Sequence, residues 1–251
     1  MARLPCAAYG PFMLLLPRTI LLAALALPVA AMADGADNVV MVELFTSQGC
    51  SSCPPADEHL AKLAERDDVL ALSMHVDYWD YLGWQDTFAQ AEHTLRQAEY
   101  RDRMGARVLF TPQMIIDGAR SVPGVKHDMV EAAIEAAAKA PHEAGISLDQ
   151  QDGMLRAEIT GEPGPWPSTI WVASYDREAT VEIERGENAG RTFTYRNVVE
   201  KLMKVGPWDG DGPASLPLPQ PAPGEGIAVW LQDERSGRIL AASYIEDGQE
   251  D

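Results

Sequence analysis

Cysteine is scarce. The 251 residues hold three, Cys6, Cys50 and Cys53, and two of them stand in one Cys-x-x-Cys stretch. A cysteine-rich disulfide scaffold is excluded, and so is a Zn(Cys)4 site, which needs a second such pair. Basic residues are few as well: 20 Lys and Arg stand against 38 Asp and Glu, for a formal net charge of −18. With no basic surface to neutralise phosphates, nucleic acid is not an expected partner. Long apolar runs are also missing. The run at 20–27 stops at Pro28 and is short for a membrane span. There is no internal repeat.

What is present begins with that short run. Arg18 precedes it, and Ala31-Met32-Ala33 follows with small residues at cleavage spacing. Residues 1–33 therefore read as a signal peptide, with a mature chain starting near Asp34. A start at Met13 would give the more conventional signal. Cleavage removes Cys6 and leaves Cys50 and Cys53 alone, with no span to hold the chain in a membrane. A periplasmic or secreted location is expected, where disulfides persist. The composition, 46% hydrophobic, is sufficient for an ordinary globular core.

The two cysteines sit in Thr46-Ser47-Gln48-Gly49-Cys50-Ser51-Ser52-Cys53-Pro54-Pro55-Ala56-Asp57. An apolar run at 39–45, interrupted by Glu43, predicts a buried central strand before them. A helical pattern follows, with Ala56, Leu60, Leu63 and Ala64 on one face and Pro54 or Pro55 in the first turn. A thiolate near a helix N-terminus is favoured by unpaired N–H groups, and the thiolate is the nucleophile. Residues 69–76 predict a second strand. An aromatic loop with Tyr78, Trp79, Tyr81 and Trp84 leads to a second helix over 87–104, with Phe88, Ala91, Leu95 and Ala98 at helical spacing. A strand follows Pro112 and turns at Asp117-Gly118 into a return strand at 120–122. A third helix over 127–139 completes a β-α-β-α-β-β-α order.

Beyond Pro141 the character changes. Segments at 146–148, 154–160, 169–175, 179–184, 192–199, 227–232 and 239–245 read as strands, and the Pro- and Gly-rich stretch 210–226 reads as a loop. The expected organisation is therefore an α/β domain over 34–140 followed by an all-β, sandwich-like module over 141–251.

The first half resembles the thioredoxin superfamily, on Cys50-Ser51-Ser52-Cys53 after a strand and on Thr111-Pro112 before the third strand. More narrowly, the chain is similar to an exported bacterial family known as domain of unknown function 1223. That likeness rests on the stretch from Glu43 to Asp57, on His75-Val76-Asp77-Tyr78-Trp79-Asp80, on Thr111-Pro112-Gln113 and on Gly186-Glu187-Asn188-Ala189-Gly190-Arg191. The resemblance implies a thioredoxin-like fold and a cis Pro112 facing the cysteines as part of a substrate groove. It also implies thiol–disulfide exchange with protein or small thiol and disulfide substrates, and a redox partner that the sequence does not name. No cofactor is implied. The chain departs from thioredoxins in having Gly49 before the motif, two prolines after it and no Trp-Cys-Gly-Pro-Cys.

In the exchange reading Cys50 attacks and Cys53 resolves the mixed disulfide. Glu43, on the strand where thioredoxin carries an acid, is either a buried proton acceptor for Cys53 or a carboxylate with no part in exchange. If regular helix starts only at Pro54, Cys50 lies outside it and gains less from its dipole. A rival reading is a Cu(I) carrier in which His75, Asp77 or Met114 joins the two thiolates. Another is a non-catalytic binding module. A purely structural bridge over so short a loop would contribute only about 2 kcal/mol.

Overall fold

In a computed structural model, Met1 and residues 39–247 are described, apart from 142, 152, 153, 163 and 165. The signal peptide expected over 1–33, with Cys6, lies outside the described residues. The first strand, β1 (Val40–Thr46), is buried at every position, because it runs down the middle of a sheet covered on both faces. Successive side chains of a strand point to opposite faces. Val40, Val42 and Leu44 accordingly enter one core, while Met41 and Phe45 enter another.

The first of these cores is closed by two helices. α1 (Pro54–Leu63) contributes Ala56, Leu60 and Leu63, and α3 (His127–Ala137) contributes Val130, Ala133 and Ile134. Each buried Leu or Ile is worth about 1.5–3 kcal/mol. The opposite face carries α2 (Ala91–Arg103), which starts later than the helical pattern predicts. Leu95 is 64% exposed, and the buried residues of α2 are His93, Arg96, Gln97 and Tyr100. The helix thus turns its polar face inward, because a buried acid on β1 awaits it.

Around β1 the order begins as expected. β2 (Val69–His75) pairs parallel to β1, in register from Val40↔Val69 to Thr46↔His75. β3 (Gln113–Ile116) pairs antiparallel on the other side, and β4 (Arg120–Pro123) forms that edge. Tyr78 and Trp79 of the aromatic loop pack on the core, while Tyr81 is exposed.

The remaining strands are β5 (Ala144–Gln151), β6 (Met154–Gly161), β7 (Ser168–Ile183), β8 (Arg191–Trp208), β9 (Ala214–Leu218), β10 (Glu225–Asp233) and β11 (Ile239–Glu246). They do not form the expected sandwich of their own. Four of them extend the first sheet into one eight-stranded mixed sheet, β11-β10-β7-β8-β2-β1-β3-β4, and β5-β6-β9 make a second, small sheet. The physical reason lies in the alternation along β10. Ala228 and Trp230 join the core of Met41, Phe45 and Tyr100, whereas Ile227, Val229 and Leu231 face the small sheet. Two segments read as separate strands, 169–175 and 179–184, are one long β7. The stretch expected to be loop contains β9, whose Pro217 is tolerated because β9 is an edge strand. Among the described residues no helix is long and apolar enough to cross a membrane.

Candidate functional site

β1 ends at Thr46, and the chain turns at once into the cysteine loop. Cys50 N–H donates to the Ser47 carbonyl (3.1 Å) and Cys53 N–H to the Cys50 carbonyl (3.2 Å). Cys50 and Cys53 are joined in a disulfide with Cα atoms 5.4 Å apart. Cys53 is the N-cap of α1, with helical dihedrals, and prolines occupy the first two helical positions. Pro54 and Pro55 have no N–H, so two of the donors that would usually favour a thiolate here are missing. Cys50 lies outside the helix, as its place before Pro54 implies. Both cysteines are buried, Cys50 to 1% and Cys53 to 0% exposure, although Ser51 and Ser52 between them are exposed. The Cys50 sulfur lies 3.4 Å from the hydroxyl of Ser52, an exposed residue.

The loop is anchored from several sides. Gln48 N–H donates to Asp86 Oδ2 (2.7 Å), Gln48 Nε2 to Thr87 Oγ1 (2.9 Å), and Trp84 Nε1 to Gln48 Oε1 (2.7 Å). Gly49 fits closely against the aromatic loop: a Cβ there would lie 3.3 Å from Trp79 Cβ. Asn188, in the turn between β7 and β8, donates to the carbonyls of Gln48 (2.9 Å) and Cys50 (3.1 Å).

Beneath the loop lies a buried ionisable cluster. His75 Nδ1 is 2.8 Å from Asp86 Oδ2, and both side chains are fully buried. Burial works to raise the Asp86 carboxyl. The His75 ring and hydrogen bonds from the Gln48 and Phe88 amides outweigh it and hold the group below its ordinary value. An ionised carboxylate only accepts, so His75 Nδ1 carries the hydrogen. The ring sits edge-on to Phe88 (5.3 Å) and Tyr195 (4.7 Å), and its buried Nε2 has no hydrogen-bond partner among the described residues.

Asp57 completes the cluster. It lies one helical turn beyond Cys53 on the same face, with its N–H on the Cys53 carbonyl (3.1 Å). Its carboxyl turns inward and accepts from Thr46 Oγ1 (2.7 Å). Burial pushes this carboxyl up to about 7, against the opposing pull of His75 and the Thr46 hydrogen bond.

The structure places Pro112 and Glu43 differently. The Thr111–Pro112 bond is cis. Gly124 N–H donates to the Pro112 carbonyl (2.9 Å), and a Cβ on Gly124 would lie 2.8 Å from Ala56 Cβ and 3.1 Å from Pro112 Cβ. Pro112 therefore packs beside the start of α1, three residues past Cys53. Glu43 does not join the cysteines. It shares the face of Met41 and Phe45, away from α1, and its carboxylate is held by Arg96 and Tyr100. Arg96 also donates to Gln232 Oε1 (3.2 Å) and lies over the rings of Trp171 and Trp230. Glu43 is thus a structural anion on the wrong side of the sheet to receive a proton from Cys53.

Of the candidate metal ligands, only His75 lies below the cysteine loop. Asp77 accepts from Thr94 Oγ1 (2.6 Å), and Met114 is buried in the core with Leu44. Among the described residues, the trio close enough to share an ion is Asp176, Glu200 and Glu225, on β7, β8 and β10, and it includes neither cysteine. The sequence reading missed Asp57, Asp86 and Asn188. Asp57 was findable, four residues past Cys53 on a predicted helix. Asn188 lies in the 186–191 stretch that carries the family likeness, but nothing local ties it to the cysteines, because its partner is 138 residues away.

Fold and site together define a mixed α/β protein with one large sheet and a Cys-x-x-Cys disulfide at the end of its central strand. The family model described as protein of unknown function, DUF1223, matches residues 41–232, and the chain belongs to that family. It is similar to a structural-genomics protein from Agrobacterium tumefaciens known from an X-ray crystal structure. The two share 34% identity and a TM-score of 0.73 over 85% of this chain and 97% of that one. HBP35 of Porphyromonas gingivalis aligns with TM-score 0.56 at 11% identity, over 86% of this chain and 79% of that one, a likeness of fold alone. No curated protein matches the chain.

Proposed function

We propose that the protein is an exported thiol–disulfide exchange protein with a thioredoxin-like core. The fold reading is supported by the order β2-β1-β3-β4 with β3 antiparallel, and by α1 and α3 on the face opposite α2. The activity rests on one observation above the rest: the Cys50–Cys53 disulfide stands at the start of α1, in a loop anchored on the ionisable cluster of Asp57, His75 and Asp86.

In the reducing direction the Cys50 thiolate attacks one sulfur of a substrate disulfide. That S–S bond breaks, a substrate thiolate leaves, and a mixed disulfide forms. Cys53 passes its proton to Asp57 and attacks the Cys50 sulfur. The Cys50–Cys53 bond closes and the second substrate thiolate departs, to be protonated from solvent. Two electrons pass from dithiol to substrate, and the oxidising direction is the reverse. The proton-acceptor role, one of the two readings of Glu43, falls to Asp57. Substrates are protein or small-molecule disulfides and thiols, met in the periplasm or outside the cell. Export rests on the signal pattern of residues 1–33.

Trapping tests this reading. With a disulfide substrate, reduced Cys53→Ser is expected to accumulate a mixed disulfide at Cys50, and Cys50→Ser to accumulate none. In the reduced wild-type protein Cys50, as the attacking thiol beside exposed Ser52, should alkylate first. Exchange that survives Cys50→Ser overturns the proposal. Cell fractionation should find a chain beginning near Asp34 outside the cytoplasm.

A further inference from the structure

The hairpin of β7 and β8 runs further than the large sheet requires. The pairing of β7 with β10 stops at Asp176↔Glu225, and β8 meets β2 at a single pair, Ser73↔Val198. Beyond those points β7 and β8 continue together to Ile183↔Arg191. In the turn at that far end, 184–190, every residue is exposed except Asn188, which is 1% exposed. Its amide donates to both carbonyls that flank Gly49, those of Gln48 and Cys50. Arg191 Nη1 donates to Asn188 Oδ1 (3.1 Å) and so fixes the amide with its NH2 towards the cysteine loop. The turn is itself pinned. Gly190 N–H donates to the Ile183 carbonyl (2.7 Å), and Gly186, at φ +80°, backs onto Trp84, where a Cβ would lie 3.2 Å from Trp84 Cβ.

Closing a disulfide depends on how often the two sulfurs meet, which is an effective concentration. A clamp that holds the backbone of 48–50 in the closed shape raises that concentration and favours disulfide over dithiol. We propose that Asn188 is a positioning residue for the cysteine pair: its grip on the Gln48 and Cys50 carbonyls biases Cys50–Cys53 towards the disulfide. The inference rests on the exchange reading above and names the element that sets its redox balance, supplied by a turn 138 residues beyond Cys50.

The test equilibrates the full mature chain with graded glutathione and dithiothreitol buffers and reads the oxidised fraction. Asn188→Ala is expected to lower the equilibrium constant for disulfide formation about tenfold, which is about 30 mV for a two-electron couple. Asn188→Asp keeps the shape, loses the donors, and should shift the balance the same way. Arg191→Gln only frees the amide to turn, so it should give a smaller shift of the same sign even if Asn188→Ala does not fold. Melting of the oxidised and reduced forms supplies a second readout: Asn188→Ala should lower the oxidised form more than the reduced one. Equal lowering of both forms, with an unchanged oxidised fraction, makes the clamp merely structural and overturns the proposal. Failure of the exchange reading looks different. The wild-type protein would then transfer no disulfides to or from substrates, while its own equilibrium still responded to Asn188.

Discussion

Asp57 and Glu43 are both acids on elements that meet at the cysteine loop, and their surroundings give them opposite work. Glu43 is neutralised by Arg96 and fixed by Tyr100, whereas the Asp57 carboxyl is met by the Thr46 hydroxyl and, among the described residues, by no cation in ion-pair contact. The Asp57 carboxyl is raised in the folded state to about 7, from an ordinary value of 3.8. Between those two values the folded chain binds more protons than the unfolded chain, so this group makes stability fall as pH rises and contributes no further change above. Asp57→Asn should therefore be more stable than wild type at pH 8, by on the order of 2 kcal/mol, with the gap closing towards pH 4. Urea denaturation of the oxidised proteins across that range measures it. The same variant should slow resolution of a Cys50 mixed disulfide and leave its formation nearly unchanged, as stopped-flow would show. The strand alternation that excludes Glu43 was readable in the sequence. Which face carries α1 was not, since that depends on the handedness of packing and not on the pattern of β1.

α2 shows how an amphipathic pattern misleads at the scale of an element. Leu95 and Ala91 suggest an inward apolar stripe, yet the helix buries His93, Arg96, Gln97 and Tyr100. The partners that make this stable lie on β1 and β10, in Glu43 and Gln232, so no window around α2 contains the signal. Burial holds His93 down at about 4, and it remains neutral at physiological pH. Arg96→Met strands the Glu43 carboxylate and should cost about 3–5 kcal/mol. Leu95→Ser should change stability by no more than about 0.5 kcal/mol. Thermal or urea unfolding of the two variants separates the structural reading of this helix from the sequence pattern. By contrast, α1 and α3 were legible nearly to the residue, because their apolar stripes face apolar strands and nothing competes.

The molecule as a whole is held by a sheet that ignores the expected division at 140. β8 joins β2, and one core gathers Phe45, Leu72 and Tyr100 with Ala173, Tyr175 and Trp230. The seven strands after 140 were mostly visible in sequence, but their allegiance was not: alternation gives a strand two faces and does not say which sheet receives them. Residues 141–251 expressed alone should lack cooperative unfolding, as should 34–140, because each would expose half of a shared core; circular dichroism melts of the two fragments check this. The clamp on the cysteine loop carries the same dependence into time. Asn188 is made 138 residues after Cys50. At roughly 5–20 residues per second that is an interval of about 7–28 s of synthesis. Throughout it the two thiols exist without the hairpin that will hold them, open to whatever oxidant or catalyst greets a nascent chain, and the grip closes only once that hairpin has been made.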